Sequence, residues 1–116
     1  MQFMALFTRH PDKADTPADL REAEFETVRG FYADGLVQQI WLRGDAGGAC
    51  MILEGASIEE VASKLATLPL VHEGFLQPPM IVPLKPYSGF GCLELYRSVL
   101  HRRQHARRTT GSIVGR

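Results

Sequence analysis

A chain of 116 residues is long enough for one self-sufficient core and short for two. With 45% hydrophobic and 22% charged residues it has the composition of a globular domain, and no apolar run approaches the ~20 residues of a helical membrane span. A formal net charge of zero gives the whole chain no pull toward nucleic acid or membrane, yet residues 1–91 hold 7 Lys and Arg against 12 Asp and Glu, while residues 92–116 hold 6 Arg against Glu94 alone: an acidic body with a basic tail.

Phe3 to Thr8 is a short apolar run of strand length, without the basic flank or the span of a secretory signal. After a polar loop, Arg9 to Asp15, the segment Thr16-Pro17-Ala18-Asp19 reads as a helix start. Thr16 serves as cap, Pro17 takes the first position, and Asp34-Gly35 closes the helix after about Ala33. Leu20, Thr27, Val28 and Phe31 form its core-facing arc at about 100° per residue, and Glu24 falls inside that arc. Tyr32 lies on the flank and is expected to pack.

Leu36 to Arg43 alternates as a strand. Leu36, Gln38, Ile40 and Leu42 go to one face, and Val37, Gln39, Trp41 and Arg43 to the other. The Gly-rich Gly44–Gly48 turns the chain into a third strand, Ala49 to Glu54, so the pair reads as a hairpin. Ser57-Ile58-Glu59-Glu60 is a capping box opening a second helix, with Ile58, Val61, Ala62, Leu65 and Leu68 as its apolar stripe and Pro69 as its stop. Met80 to Leu84 is the fourth strand, and Pro83 restricts it to an edge or an irregular position. The order β-α-β-β-α-β is the ferredoxin-like arrangement, an α+β fold with a four-stranded antiparallel sheet over residues 1–91. Beyond it, Leu93, Tyr96, Val99 and Leu100 repeat at helical spacing among arginines, which predicts a basic amphipathic helix and a frayed tail over 92–116.

Both helices fall on one face of such a sheet, and the other face should then read polar if it meets water. Strands one and three are instead apolar on both sides: Phe3, Ala5 and Phe7 against Met4 and Leu6, and Ala49, Met51 and Leu53 against Cys50 and Ile52. A second copy, sheet to sheet, covers that face economically, so a homodimer or larger homo-oligomer enclosing a cavity is expected.

Gly35 to Val71 resembles the muconolactone isomerase family, carried by the Ile40-Trp41 pair on the hairpin, Ser57 opening a helix and Leu68-Pro69-Leu70 closing it. The resemblance covers roughly residues 3–85. It implies a dimeric α+β barrel with ferredoxin-like protomers, proton transfer in a lactone without a cofactor, and a pocket at a subunit boundary. His72 to Pro79, the Pro83–Tyr87 segment and the basic tail depart from the family pattern, so the fold carries over better than the substrate. Related barrels include antibiotic-type monooxygenases, stress-response proteins and uncharacterised members, so a non-catalytic small-molecule-binding or structural barrel protein and a cofactor-free antibiotic-biosynthesis-type monooxygenase stand as alternatives.

The candidate site residues follow from chemistry. A carboxylate desolvated on the helix stripe has its pKa raised, which suits Glu24 to act as a general base, against a plain pairing with Arg43 or Arg21. Trp41 can floor an apolar pocket, Arg43 can hold a substrate carboxylate in its planar fork and Gln39 can orient it, although the same strip also suits a dimer interface. His72, beyond Pro69 in a loop, is a second acid–base candidate against the commoner solvated histidine, and His10 has similar standing. His101 and His105 stand at the i, i+4 spacing of a metal clamp, but Arg102, Arg103, Arg107 and Arg108 would repel a cation, so no metal is expected. The body's acidity and the lack of interleaved aromatics argue against nucleic acid at those arginines. Two cysteines in unrelated contexts make no disulfide framework, and a reducing cytoplasm is the default compartment.

Overall fold

The computed structural model describes residues 1–13 and 15–90. Met1–Lys85 forms one compact unit, and a second begins at Pro86, where a single 3₁₀ turn spans Ser88–Phe90. The basic segment 92–116, with His101 and His105, lies outside the described residues.

The first unit runs β1 (Gln2–Leu6), α1 (Ala18–Ala33), β2 (Val37–Leu42), β3 (Ala49–Glu54), α2 (Ile58–Leu65), α3 (Pro69–His72) and β4 (Met80–Leu84). The sheet order is β2-β3-β1-β4 with every pair antiparallel, which is the ferredoxin-like topology. Pro83 sits in β4, an edge strand that pairs with β1 alone, where a missing N–H costs no ladder bond on its outer side.

Register explains which residues make the core. Phe3 stands opposite Leu53 and Ala5 opposite Met51; these four, with Phe7, are buried under the helices. Val61 and Leu65 of α2, and Leu68 beyond it, complete that core together with Leu36 and Val37, while Val28 and Phe31 of α1 pack at its margin. The alternate residues Met4, Leu6, Cys50 and Ile52 face the other way and are half-buried in the single chain.

Local chemistry sets the ends. Ser57 caps α2, its Oγ accepting from the Glu60 N–H at 3.1 Å, and Glu60 Oε1 reaches back to accept from the Ala56 N–H. Gly35 (φ +87°) ends α1: its N–H donates to the Tyr32 carbonyl and the Leu36 N–H to the Phe31 carbonyl, a Schellman closure.

Four expectations need correction. Thr16 does not cap α1; the helix begins at Ala18 with Pro17 in the cap position and no side-chain cap bond. Tyr32 is exposed rather than packed, because Phe31 already takes the core side of the last turn. Pro69 does not stop α2, which already ends at Leu65 with Ala66 as its cap. Its fixed φ and absent N–H suit a first helical position, and it opens the four-residue α3 that carries His72. Strict alternation also fails in β2: a bulge between Val37 and Gln39 puts Val37 on the helix side with Ile40 and Leu42, leaving Gln39 and Trp41 opposite Ile52 and Cys50 on the open face.

Candidate active-site cavity

The bulge has a consequence for the helix side of the sheet. Past Val37, Ile40 and Leu42 on the helix side and Trp41 at the edge on the open face stay exposed although apolar, Trp41 at 64%. The space between this end of the sheet and α1 is a cavity of about 530 Å³, within the range of small-molecule sites. Phe7, Met51 and Leu68 form its buried floor, and Ala49, Val28, Leu70 and Leu76 its half-buried walls. Phe25, Ile40, Trp41 and Leu42 form an exposed apolar lip.

The charged groups in this lining are Arg9, Glu24 and Arg29. Glu24 is 8% exposed and is the one buried residue of α1. Its Oε1 accepts from the Leu70 N–H at 3.0 Å, so α3, the element that Pro69 opens, supplies its partner. Burial pushes the Glu24 carboxyl above the usual glutamate value, and the Leu70 amide opposes that rise only in part. A carboxylate that holds its proton more tightly than in water, facing an apolar cavity, is equipped to take a proton from carbon and return it.

The other sequence candidates are placed differently. Trp41 lines the cavity, and its Nε1 donates to Gln39 Oε1 at 3.4 Å. Gln39 itself lies on the open sheet face and is not part of the lining. Arg43 is also outside the lining. Its Nε and Nη2 donate to Asp45 at 2.9 and 2.8 Å, while Nη1 reaches Thr8 Oγ1 at 2.9 Å and the Phe7 carbonyl. That fork holds the Asp45 carboxyl at about 2, well below the usual aspartate value, and braces the hairpin turn against the end of β1. Glu24 and Arg43 therefore do not meet in one cavity. His72 is exposed at the end of α3 beside Glu73, with 3.0 Å between Nδ1 and the carboxylate. His10 Nδ1 accepts from the Asp12 N–H, a local loop contact.

Sequence reasoning missed Arg9 and Arg29. Arg29 was legible in principle, since Phe25 and Arg29 form the row of α1 next to Glu24 and Val28 at i, i+4 spacing. Arg9 was not. It reaches the cavity because its N–H donates to the Gly47 carbonyl and it bridges to Leu76, two contacts that pair distant parts of the chain. Among the described residues no group of three or more His, Cys, Asp and Glu side chains converges, and no helix is long and apolar enough to cross a membrane.

No protein-family model and no curated protein sequence matches the chain. Solved structures do. The chain is similar to 5-chloro-2-hydroxyhydroquinone dehydrochlorinase (TftG) from Burkholderia phenoliruptrix AC1100, solved in complex with 2,5-dihydroxybenzoquinone. The TM-score is 0.64 at 18% identity, over 77% of this chain and 98% of that one. It is also similar to muconolactone isomerase, with a TM-score of 0.61 at 21% identity over 75% of this chain and 91% of that one. The chain thus has the fold of these two proteins, as the Gly35–Val71 motifs led one to expect.

Proposed function

We propose that the protein is a cofactor-free isomerase of the muconolactone isomerase type, moving a proton within a small carboxylated lactone or a related intermediate of aromatic-compound degradation. The observation that carries this reading is Glu24: a buried carboxyl with raised pKa on the wall of an apolar cavity of about 530 Å³. Two proteins of the same fold support it, one named as an isomerase of a lactone and one solved with a small quinone ring.

In this reading the substrate ring lies against Met51, Phe7 and the Trp41 lip. Glu24 removes a proton from the γ carbon of the unsaturated lactone, made acidic through the double bond conjugated to the carbonyl, and returns it at the carbon next to that carbonyl as the double bond shifts. No atoms are gained or lost overall, and the Leu70 amide keeps the carboxylate aimed. Arg43, already engaged by Asp45, holds the hairpin that carries Trp41 and takes no direct part. His72 is the second candidate for proton transfer, at a greater remove, since it stands outside the lining. The working form is a homodimer closed over the open sheet face, acting in the cytoplasm.

The test is exchange of substrate protons with solvent. Purified protein in deuterium oxide, given muconolactone and related carboxylated lactones, should place deuterium in the product at the carbon that receives the proton, next to the lactone carbonyl. Glu24→Gln should slow turnover by about 10²–10⁴ with the fold retained. Full activity in the Gln variant removes Glu24 from the mechanism, and absence of exchange with every lactone favours a non-catalytic binding protein of the same fold.

A further inference from the structure

The cavity has a charge pattern that the proton transfer does not account for. Its apolar lining is interrupted by one buried carboxyl and two arginines, and these arginines come from opposite walls. Arg9 follows β1 and lies against the β2–β3 turn; Arg29 stands on α1, on the outer row beside Phe25. We propose that Arg9 and Arg29 form the anion-recognition end of this cavity, so that it selects small acids with an apolar ring. The acid group would face the two guanidinium groups at the mouth, and the ring would lie along the apolar wall toward Glu24.

Three observations support this. The first is charge economy: residues 1–91 hold only 7 Lys and Arg against 12 Asp and Glu, yet both cations of the lining are arginines, the side chain whose fork matches a carboxylate or sulfonate. The second is aim. A Cβ on Gly47 would come within 3.0 Å of Arg9 Cβ and 3.2 Å of its Cδ, so the Arg9 stem lies across a turn that is bare at that point. The Arg9 N–H to Gly47 carbonyl bond fixes the start of that stem. The third is availability on the other wall. Arg29 has only a 3.6 Å contact with Glu22, both ends exposed, which a ligand acid can displace at little cost.

Placing the anion at the mouth also keeps it apart from Glu24, which is buried where a second negative charge would be costly. Selectivity for acids thus rests on the rim, and the chemistry on Glu24 in the wall. The inference rests on reading the cavity as a small-molecule site, but does not require turnover.

Fluorescence titration with two probes of similar ring size tests it: 1-anilinonaphthalene-8-sulfonate, an anion, and N-phenyl-1-naphthylamine, its neutral counterpart. Wild type should bind the sulfonate more tightly, and added salt should weaken that probe alone. Arg9→Gln and Arg29→Gln should each lower sulfonate affinity by about two- to fivefold, and the double variant by about tenfold, the scale of partly exposed charged contacts. The neutral amine should stay within about twofold in all of them. Arg21→Gln, which removes the same charge from the same helix outside the cavity lining, should change neither probe. Equal weakening of both probes by the Arg9 and Arg29 variants, or no weakening of the sulfonate, overturns the proposal. So does a wild type that binds neither probe, which also overturns the small-molecule site. Selective sulfonate binding without lactone exchange leaves the anion end standing and removes only the isomerase reading.

Discussion

At the scale of single residues, Glu24 carries opposing demands. Its Oε1 is needed as an acceptor for the Leu70 N–H, while its charge is disfavoured by burial. A carboxyl whose folded pKa lies above its unfolded value costs stability as pH rises from the ordinary glutamate range through the raised folded value, and costs nothing below that window. Glu24→Gln keeps the acceptor and drops the charge. It should be at least as stable as wild type at pH 7, with the difference closing as the pH falls below the usual glutamate range. Glu24→Leu leaves the Leu70 amide without its partner and should be less stable than the Gln variant by about 1–3 kcal/mol, at the low end because Leu70 is only half-buried. Urea titrations of the three proteins at pH 7 and at acid pH measure both effects. A Gln variant clearly weaker than wild type at pH 7 would mean the surroundings favour the charged form, and Glu24 would lose its claim as a base near neutrality. Glu24 could be found from helical phase alone because a helix fixes its face by spacing within one segment. The fate of Arg43 could not, since it is set by Asp45 two residues on and by Thr8 at the end of a strand 35 residues away.

At the scale of elements, the hairpin turn and the end of β1 are joined through glycine. Gly48 stands at φ +132°, a conformation other residues rarely adopt, and a Cβ there would collide with the Phe7 carbonyl oxygen. That carbonyl accepts from the Ala49 N–H, and the Phe7 N–H donates to the Ala49 carbonyl at 2.8 Å. Gly48→Ala therefore strains the backbone and parts the β1–β3 ladder beside the cavity floor. A loss of about 1–3 kcal/mol from the conformation alone is expected, with more from the clash, read as a lowered thermal midpoint. A midpoint equal to wild type would show that the turn relaxes freely and does not brace the floor. The order and edges of β3 and β4, the α2 cap and the Gly35 closure were all legible, because each depends on residues within a few positions. The β2 bulge was not: period-two alternation assumes an unbroken ladder, and the extra residue is dictated by pairing with Leu53 and Ile52. Pro69 shows the same limit, since one ring chemistry can end a helix or begin one.

At the scale of the whole molecule, the proposed homodimer rests on the open sheet face. Met4, Leu6, Cys50, Ile52 and Val82 lie on it half-buried, and Trp41 and Met80 stand there 64% and 56% exposed. An antiparallel sheet tolerates a wet face when that face is polar, and this one carries apolar side chains on all four strands, with Gln39 beside Trp41 on β2. In the proposed homodimer a two-fold axis would cover the face with its own copy, so one patch would serve both partners and no second binding surface would have to exist. Sedimentation equilibrium at micromolar concentration should then give twice the 12.9 kDa chain mass. Met4, with Ile52 and Val82 as its strand neighbours, is at the centre of the patch, and Met4→Glu should yield a monomer by burying a charge on both sides of the axis. Trp41→Ala, nearer the edge, should weaken the dimer by up to the roughly 3–5 kcal/mol of a buried aromatic truncation, and it tests the lip of the cavity as well. The two variants separate assembly from ligand binding. Met4 is not part of the cavity lining and Trp41 is, so a monomeric Met4→Glu protein that still binds 1-anilinonaphthalene-8-sulfonate places the site within one chain. Loss of the probe together with the dimer makes the partner a part of the site. An ordered wild-type chain that remains a clean monomer at these concentrations would remove the sheet-to-sheet assembly, and the apolar face would then belong to a different partner.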